Sequence, residues 1–406
     1  MILYENEEYY FSFDTTYSLY AQTPSKIRIN PEQAYGGTVS DYFDSVEYIP
    51  LETTKESTLG FVYDYIITDS SIVINDPDTH SVYFFSPEGK YITKIRDNIN
   101  DLRIDKDHAG NKILVFSEHP LTEAITIKRF SLTGKLLELV NESIPLREIK
   151  SSTTLEKDYT IKCNRCRVVA GEKPKDSTVF LVSVYRNGQL HKSFLPYNPS
   201  IDMAFCSIDG GIDLPHVIQN GTVYFSTGLD YNLYKLTKDT LLRIGRFVFP
   251  ADRSIPDEVI HSKDLDYLQS RFEYNTKLIR SVSNIFFRKN LLFFKVNGWM
   301  YDFSNGSESN NQYNFILDTV TRKLVSMERI IPDEKNWWLP FCETTIKIYG
   351  LRYHNDWLYT NLSSLRLFTE YEKNKDKKIT YPPVLQQYFK TQNRKSNPVI
   401  VKMKLK

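Results

Sequence analysis

The chain has 406 residues, 41% hydrophobic and 25% charged, which excludes general disorder and allows one large fold or a pair of domains. Its 51 Lys and Arg against 50 Asp and Glu leave a net charge of +1, which argues against a dedicated nucleic-acid or anionic-membrane binder. With 28 Tyr and 24 Phe but only 16 Gly, the composition favours pleated β structure over glycine-rich phosphate loops.

Residues 1–24 include Glu5, Glu7, Glu8 and Asp14, more acid than the apolar centre of a secretion signal tolerates. They read as an N-terminal extension, with residues 18–22 as a candidate leader remnant, and residues 25–406 as one domain. No stretch approaches the ~20 apolar residues a membrane-spanning helix needs.

The first internal repeat follows. Phe85-Ser86-Pro87-Glu88-Gly89-Lys90-Tyr91-Ile92 recurs about 45 residues later as Phe130-Ser131-Leu132-Thr133-Gly134-Lys135-Leu136-Leu137. Looser echoes lie at residues 185–190, 236–242 and 317–325. Each copy is an alternating strand, a short polar turn and a second strand, and Gly89, Gly134 and Gly188 can supply the positive φ of a tight hairpin. Ahead of these hairpins lie further strand pairs: residues 71–75 with 81–85, 112–116 with 124–128, and 222–226 with 231–234. Four short strands per unit at this period predict radial repetition, in which neighbouring sheets cover both faces of each other's strands.

Two stretches interrupt the period. Residues 254–277 have helical spacing after an early Pro256, predicting a helical insertion between the fourth and fifth units. Residues 368–397 predict an insertion in the last unit, with Lys373, Lys375, Lys377 and Lys378 in a solvated loop and a helix over 384–389. Cys163 and Cys166 form a lone C-x-x-C, read as incidental thiols or one structural disulfide; a redox pair is the weaker option.

The segment from Asp44 to Gly60 (Asp-Ser-Val-Glu-Tyr-Ile-Pro-Leu-Glu-Thr-Thr-Lys-Glu-Ser-Thr-Leu-Gly) resembles the opening motif of six-bladed β-propeller proteins widespread in Bacteroidetes. The segment from Ser396 to Lys406 resembles the way such chains end, so the likeness runs from about Lys26 to the C-terminus. It implies an all-β fold: a six-bladed β-propeller with four-stranded antiparallel blades. It also implies a periplasmic or cell-surface location, but brings no reaction with it. Where relatives often carry a Gly-Pro-Gly-Glu-type stretch after the first blade, this chain has Arg96-Asp97-Asn98-Ile99-Asn100-Asp101-Leu102, so that loop's role does not carry over. A ring must close or leave an edge strand exposed. The N-terminal strand Ser25-Lys26-Ile27-Arg28-Ile29 is expected to close it against Val399-Ile400-Val401-Lys402-Met403.

Propeller ligands usually bind over the axis, on the face built by the loops between blades and between middle strands. Candidate ligand-binding residues there are Asp76 and Asp230 in middle-strand loops, Arg271 and Tyr274 in the helical insertion, and the adjacent Trp337 and Trp338. The tryptophans suit a sugar ring or a peptide anchor, or equally a plug in the seam between blades. Asp105-Lys106-Asp107-His108-Ala109-Gly110-Asn111 lacks the downstream Glu of a calcium loop and reads as a strand-to-strand turn. The scattered histidines form no zinc motif, and neither a nucleophile elbow nor a phosphate loop is present. No catalytic set, metal or cofactor is therefore expected. The favoured reading is a monomeric, non-catalytic extracytoplasmic binding or scaffolding module for a glycan, peptide or envelope protein. The alternative is a propeller hydrolase, either lactonase-like with a metal or a carboxylate-pair glycosidase.

Overall fold

The computed structural model describes residues 25–96, 102–106, 112–118, 125–142, 149–164, 178–200, 217–262, 264, 277–298, 301–302, 307–308, 312–342 and 351–406. Three strands precede the first blade: β1 (Ser25–Arg28), β2 (Tyr35–Thr38) and, after the short helix α1 (Val39–Tyr42), β3 (Phe43–Pro50). Blade 1 is β4 (Asp64–Ile67), β5 (Ile72–Asp76), β6 (Ser81–Phe85) and β7 (Tyr91–Arg96). Blade 2 is β8 (Leu102–Lys106), β9 (Lys112–Glu118), β10 (Ile125–Ser131) and β11 (Leu136–Glu142). Blade 3 is β12 (Ile149–Glu156), β13 (Tyr159–Asn164), β14 (Val179–Arg186) and β15 (Gln189–Tyr197). Blade 4 contributes β16 (Val223–Ser226), β17 (Asn232–Leu236) and β18 (Leu241–Val248), followed by α2 (Asp257–Ile260). Blade 5 is β19 (Ile279–Arg288), β20 (Leu291–Gly298), the small ribbon β21 (Tyr301–Asp302) and β22 (Ser307–Glu308), β23 (Gln312–Asp318) and β24 (Leu324–Ile331). Blade 6 is β25 (Arg352–His354), β26 (Trp357–Leu362), helices α3 (Ser364–Lys373) and α4 (Pro383–Thr391), and β27 (Val399–Leu405).

The blades form six separate meandering sheets, and the first strands of blades 6, 1, 2 and 3 touch in succession. This is the propeller expected from the repeat, with the six blades that the family resemblance implies. The two best-matched repeats fold alike. Ser86 N donates to Lys90 O at 2.7 Å and Ser131 N to Lys135 O at 2.8 Å. Gly89 and Gly134 sit at φ 83° and 82°. Each hairpin tip also leans on the preceding outer strand: a Cβ on Gly89 would meet Pro50 O at 2.3 Å, and one on Gly134 would meet Thr93 Cγ2 at 2.4 Å. Glycine is thus required twice over, for conformation and for space.

The near-continuous apolar strands follow from the radial packing. In β6, Tyr83 and Phe85 pack towards blade 6 with Tyr359 and Ile400. Val82 and Phe84, on the other face, pack towards blade 2 with Ile104, Ile113 and Phe130. Each fully buried Phe of this kind contributes roughly 1.5–3 kcal/mol.

The ring closes through a different strand from the one expected. β27 pairs antiparallel with β3, placing Val46 opposite Met403 and Tyr48 opposite Val401. β1, which includes Ser25 to Arg28, instead pairs parallel with β18 of blade 4, and β2 pairs parallel with β24 of blade 5. The N-terminal stretch is therefore a tape laid along the outer edges of blades 4, 5 and 6. Ile27 and Ile29 are buried, so β1 satisfies its apolar face on blade 4 just as it would have on blade 6.

Asn397 explains why the two motif segments go together. Its Nδ2 donates to Glu52 O at 2.8 Å and Ser57 O at 2.7 Å, and its Oδ1 accepts from Leu59 N at 2.9 Å. One buried amide thus fastens the loop entering blade 1 to the strand that ends the chain. The insertion of blade 6 holds the expected helix, extended to Pro383–Thr391, and a second that begins at Ser364. Between blades 4 and 5 the described helix is limited to Asp257–Ile260, and residues 265–276 lie outside the described residues.

Candidate functional site at the inner strands of blades 6, 1 and 2

The first strand of each blade is innermost in a propeller, so its side chains reach the axis. Charges in strands that are otherwise apolar cost desolvation unless they are paired. Three adjoining inner strands nonetheless carry them: Asp64 on β4, Asp105 and Lys106 on β8, and Arg352 and His354 on β25.

Arg352 reaches across the seam from blade 6 to form an ion pair with Asp64, the two side chains only 7% and 12% exposed. Its Nε donates to Tyr65 O at 3.2 Å, and its guanidinium lies 5.4 Å from the centroid of the Tyr65 ring. Towards the other end of β4, Lys106 Nζ donates to Ile67 O at 2.5 Å. His354 Nε2 and Asp69 Oδ1 lie 2.8 Å apart. The group thus ties three blades together around β4.

Its titration is shifted. Burial pushes the Asp105 carboxyl up to about 7, and the nearby Asp64 adds to the rise against the Lys106 backbone N–H and ammonium. Burial also lowers the Lys106 ammonium, although Asp105 and Asp69 oppose this. Burial lowers His354, partly offset by its bond to Asp69 and assisted by Lys106. Asp105 is therefore a carboxyl that can both donate and accept a hydrogen bond near neutral pH. Arg352 and Asp64 neutralise each other, whereas Asp105, Lys106 and His354 are only partly covered.

None of these residues stood out in the sequence as a binding group. The sequence pattern places Asp105 and Lys106 in a turn, whereas they are the last residues of β8. The available signal was a charged residue recurring in the opening strand of consecutive units: Asp64, Asp105 and Arg352.

The residues expected to bind ligand lie elsewhere. Asp76 is wholly buried, and its oxygens accept from Gly60 N at 2.7 Å, Phe61 N at 3.1 Å, Asp78 N at 3.1 Å and Thr79 Oγ1 at 2.9 Å. Asp230 accepts from Thr227 Oγ1, from Asn232 N at 3.1 Å and from Asn232 Nδ2 at 2.7 Å, and burial raises its carboxyl. Both carboxylates organise their own loops. Arg271 and Tyr274 lie outside the described residues.

Trp337 and Trp338 follow a single 3-10 turn, Glu334–Asn336, capped by Asp333, and both take left-handed backbone angles at φ 55° and 53°. Trp337 sets its edge against Tyr48 of β3, with ring centroids 6.2 Å apart. Trp338 lies beneath the lysine loop: Lys377 Nζ is 5.3 Å from its ring, and Asn374 Nδ2 donates to Trp338 O at 3.1 Å. Both indoles are half-buried. Cys163 is buried in β13, and Cys166 lies outside the described residues. Among the described residues no three His, Cys, Asp or Glu side chains gather at metal-ligand spacing, and no helix is long and apolar enough to cross a membrane.

The family described as 6-bladed beta-propeller, DUF5128, matches residues 21–327. The chain belongs to that family. Among solved structures it resembles one titled "Putative exported protein" from Bacteroides fragilis, with 13% identity, a TM-score of 0.58, and coverage of 94% of this chain and 100% of that one. That likeness bears on the fold alone. A member of the duf4221 family from Bacteroides vulgatus matches with 10% identity and a TM-score of 0.42, covering 89% of this chain and 98% of that one. A streptogramin B lyase matches with 11% identity and a TM-score of 0.36, covering 90% and 99%. At those scores neither likeness carries an argument about activity. Among curated proteins none matches.

Proposed function

We propose that the chain is a non-catalytic binding or scaffolding propeller of the periplasm or cell surface. Its ligand is a glycan, a peptide or an envelope protein, held against the inner strands of blades 6, 1 and 2. The observation that supports this most is the partly covered trio Asp105, Lys106 and His354, set on rigid strands beside the neutral Arg352–Asp64 pair. A fixed group with one ammonium, one imidazole and one carboxyl titrating near neutrality offers donors and acceptors at little ordering cost. Polar ligands such as sugar hydroxyls or peptide amides match it. Export is supported by the location that the sequence resemblance implies and by the likeness to the putative exported protein from Bacteroides fragilis.

The test is a glycan array and a peptide array probed in parallel with wild type and Lys106→Gln. Ligands that lose signal in the variant, and are recovered chemically unchanged, support the reading. A ligand set indifferent to Lys106→Gln opposes it.

One observation favours the hydrolase reading: a carboxyl raised to about 7 is what a general acid or base requires. In that case Asp105 would move the proton, and array ligands would be recovered cleaved.

A further inference from the structure

Outer strands are the aggregation-prone part of a propeller, because one side of each is unpaired. In this protein the outer strands of blades 4, 5 and 6 are covered or completed by β1, β2 and β3. Those of blades 1 and 3 have no further strand among the described residues, and they are blunted by charge or proline: β7 carries Lys94 and Arg96, and β15 carries Lys192 and Pro196. β11 of blade 2 differs in that its charges are the two glutamates Glu138 and Glu142. It ends its sheet, reads Leu-Leu-Glu-Leu-Val-Asn-Glu, and has neither lysine nor proline. Leu136, Leu137 and Leu139 are 52%, 49% and 55% exposed, so apolar side chains project on both sides of an edge that no described strand pairs.

From this we infer that β11 is a docking edge for an extended peptide segment of a partner protein, which adds to blade 2 as a further strand. The mode is one the chain already uses on itself, since β1 and β2 are extended segments added to the outer edges of blades 4 and 5. The main-chain ladder supplies affinity, and alternate side chains supply selectivity. The leucines call for apolar residues at alternate partner positions. Glu138, 50% exposed although already paired with Arg129 at 2.6 Å, can accept a further hydrogen bond from a basic residue opposite it. This edge is separate from the inner-strand site, and the inference does not depend on the function proposed for that site.

The experiment uses the full chain and a short synthetic peptide alternating valine and threonine with one central lysine. A second version is N-methylated at alternate residues, which removes ladder donors without removing side chains. The expected result is that the first peptide slows hydrogen exchange of amides in β11 and the N-methylated one does not. Leu137→Lys with Leu139→Lys is expected to weaken binding about tenfold or more with an unchanged melting transition. Three results would overturn the inference: no protection of β11, equal binding of the N-methylated peptide, or a peptide-independent dimer in light scattering that Leu137→Lys with Leu139→Lys abolishes. The last would assign the edge to a second copy of this chain.

Discussion

Arg352 of blade 6 and Asp64 of blade 1 form a buried ion pair across the seam where the last blade meets the first. Removing one member leaves the other charge buried and unmatched, which typically costs about 3–5 kcal/mol, whereas removing both costs far less. Arg352→Met is therefore expected to lower unfolding stability by about 3 kcal/mol, with much of the loss recovered in Arg352→Met with Asp64→Asn. Denaturant titration of the four species checks this, and additive losses would mean that the pair does not couple.

Asp105 should make stability depend on pH in an unusual direction. Its carboxyl is raised from 3.8 to about 7, so between those values the folded state binds more protons than the unfolded one. Stability then falls as pH rises through that window. Asp105→Asn should be more stable than wild type at pH 8 by about 1–2 kcal/mol, less than the full displacement implies because the side chain is partly covered. The gain should disappear towards pH 4, as followed by melting temperature across the range.

Closure by β3 and edge coverage by β1 predict unequal sensitivity to proline. Val46 lies inside the antiparallel ladder with β27 and is buried, whereas Lys26 is exposed on a parallel edge strand. Val46→Pro is expected to cost about 3 kcal/mol or more, and Lys26→Pro about 1 kcal/mol or less. Calorimetry of the two variants would reveal a reversed order if β1 were the closing strand.

Asp76 is expected to matter for folding of its loop rather than for a ligand. Asp76→Ala takes the acceptor from the N–H groups of Gly60, Phe61 and Asp78, which it holds at 2.7–3.1 Å, a loss of about 1–3 kcal/mol. Asp76→Asn keeps one acceptor and should lose less. A variant that melts like wild type but loses array signal would return Asp76 to the binding surface.

The propeller was legible because its signals are local. The hairpins at residues 85–92 and 130–137 announce themselves through turn glycines and alternation, and both-face burial shows as unbroken apolar strands such as Val82 to Phe85. Which edge β1 occupies was not legible. Ile27 and Ile29 offer the same apolar alternation to any outer strand, and only three-dimensional proximity selects β18. The inner-strand site was hidden for a related reason. Asp64, Asp105 and Arg352 are hundreds of residues apart at the extremes, and a charge beside apolar residues looks like a turn until the ring brings first strands together. The acidic loops show a second thing the sequence does not give: the oxygens of Asp76 and Asp230, read as ligand-facing acids, are taken up by neighbouring N–H and O–H groups.

The measurement that bears most directly on the inner-strand site is a carbon-detected NMR titration of the Asp105 side-chain carboxyl in the folded protein. A midpoint near 7 that moves when an array-selected ligand is added is the predicted result. A midpoint near the ordinary aspartate value of about 3.9, unmoved by ligand, would contradict it.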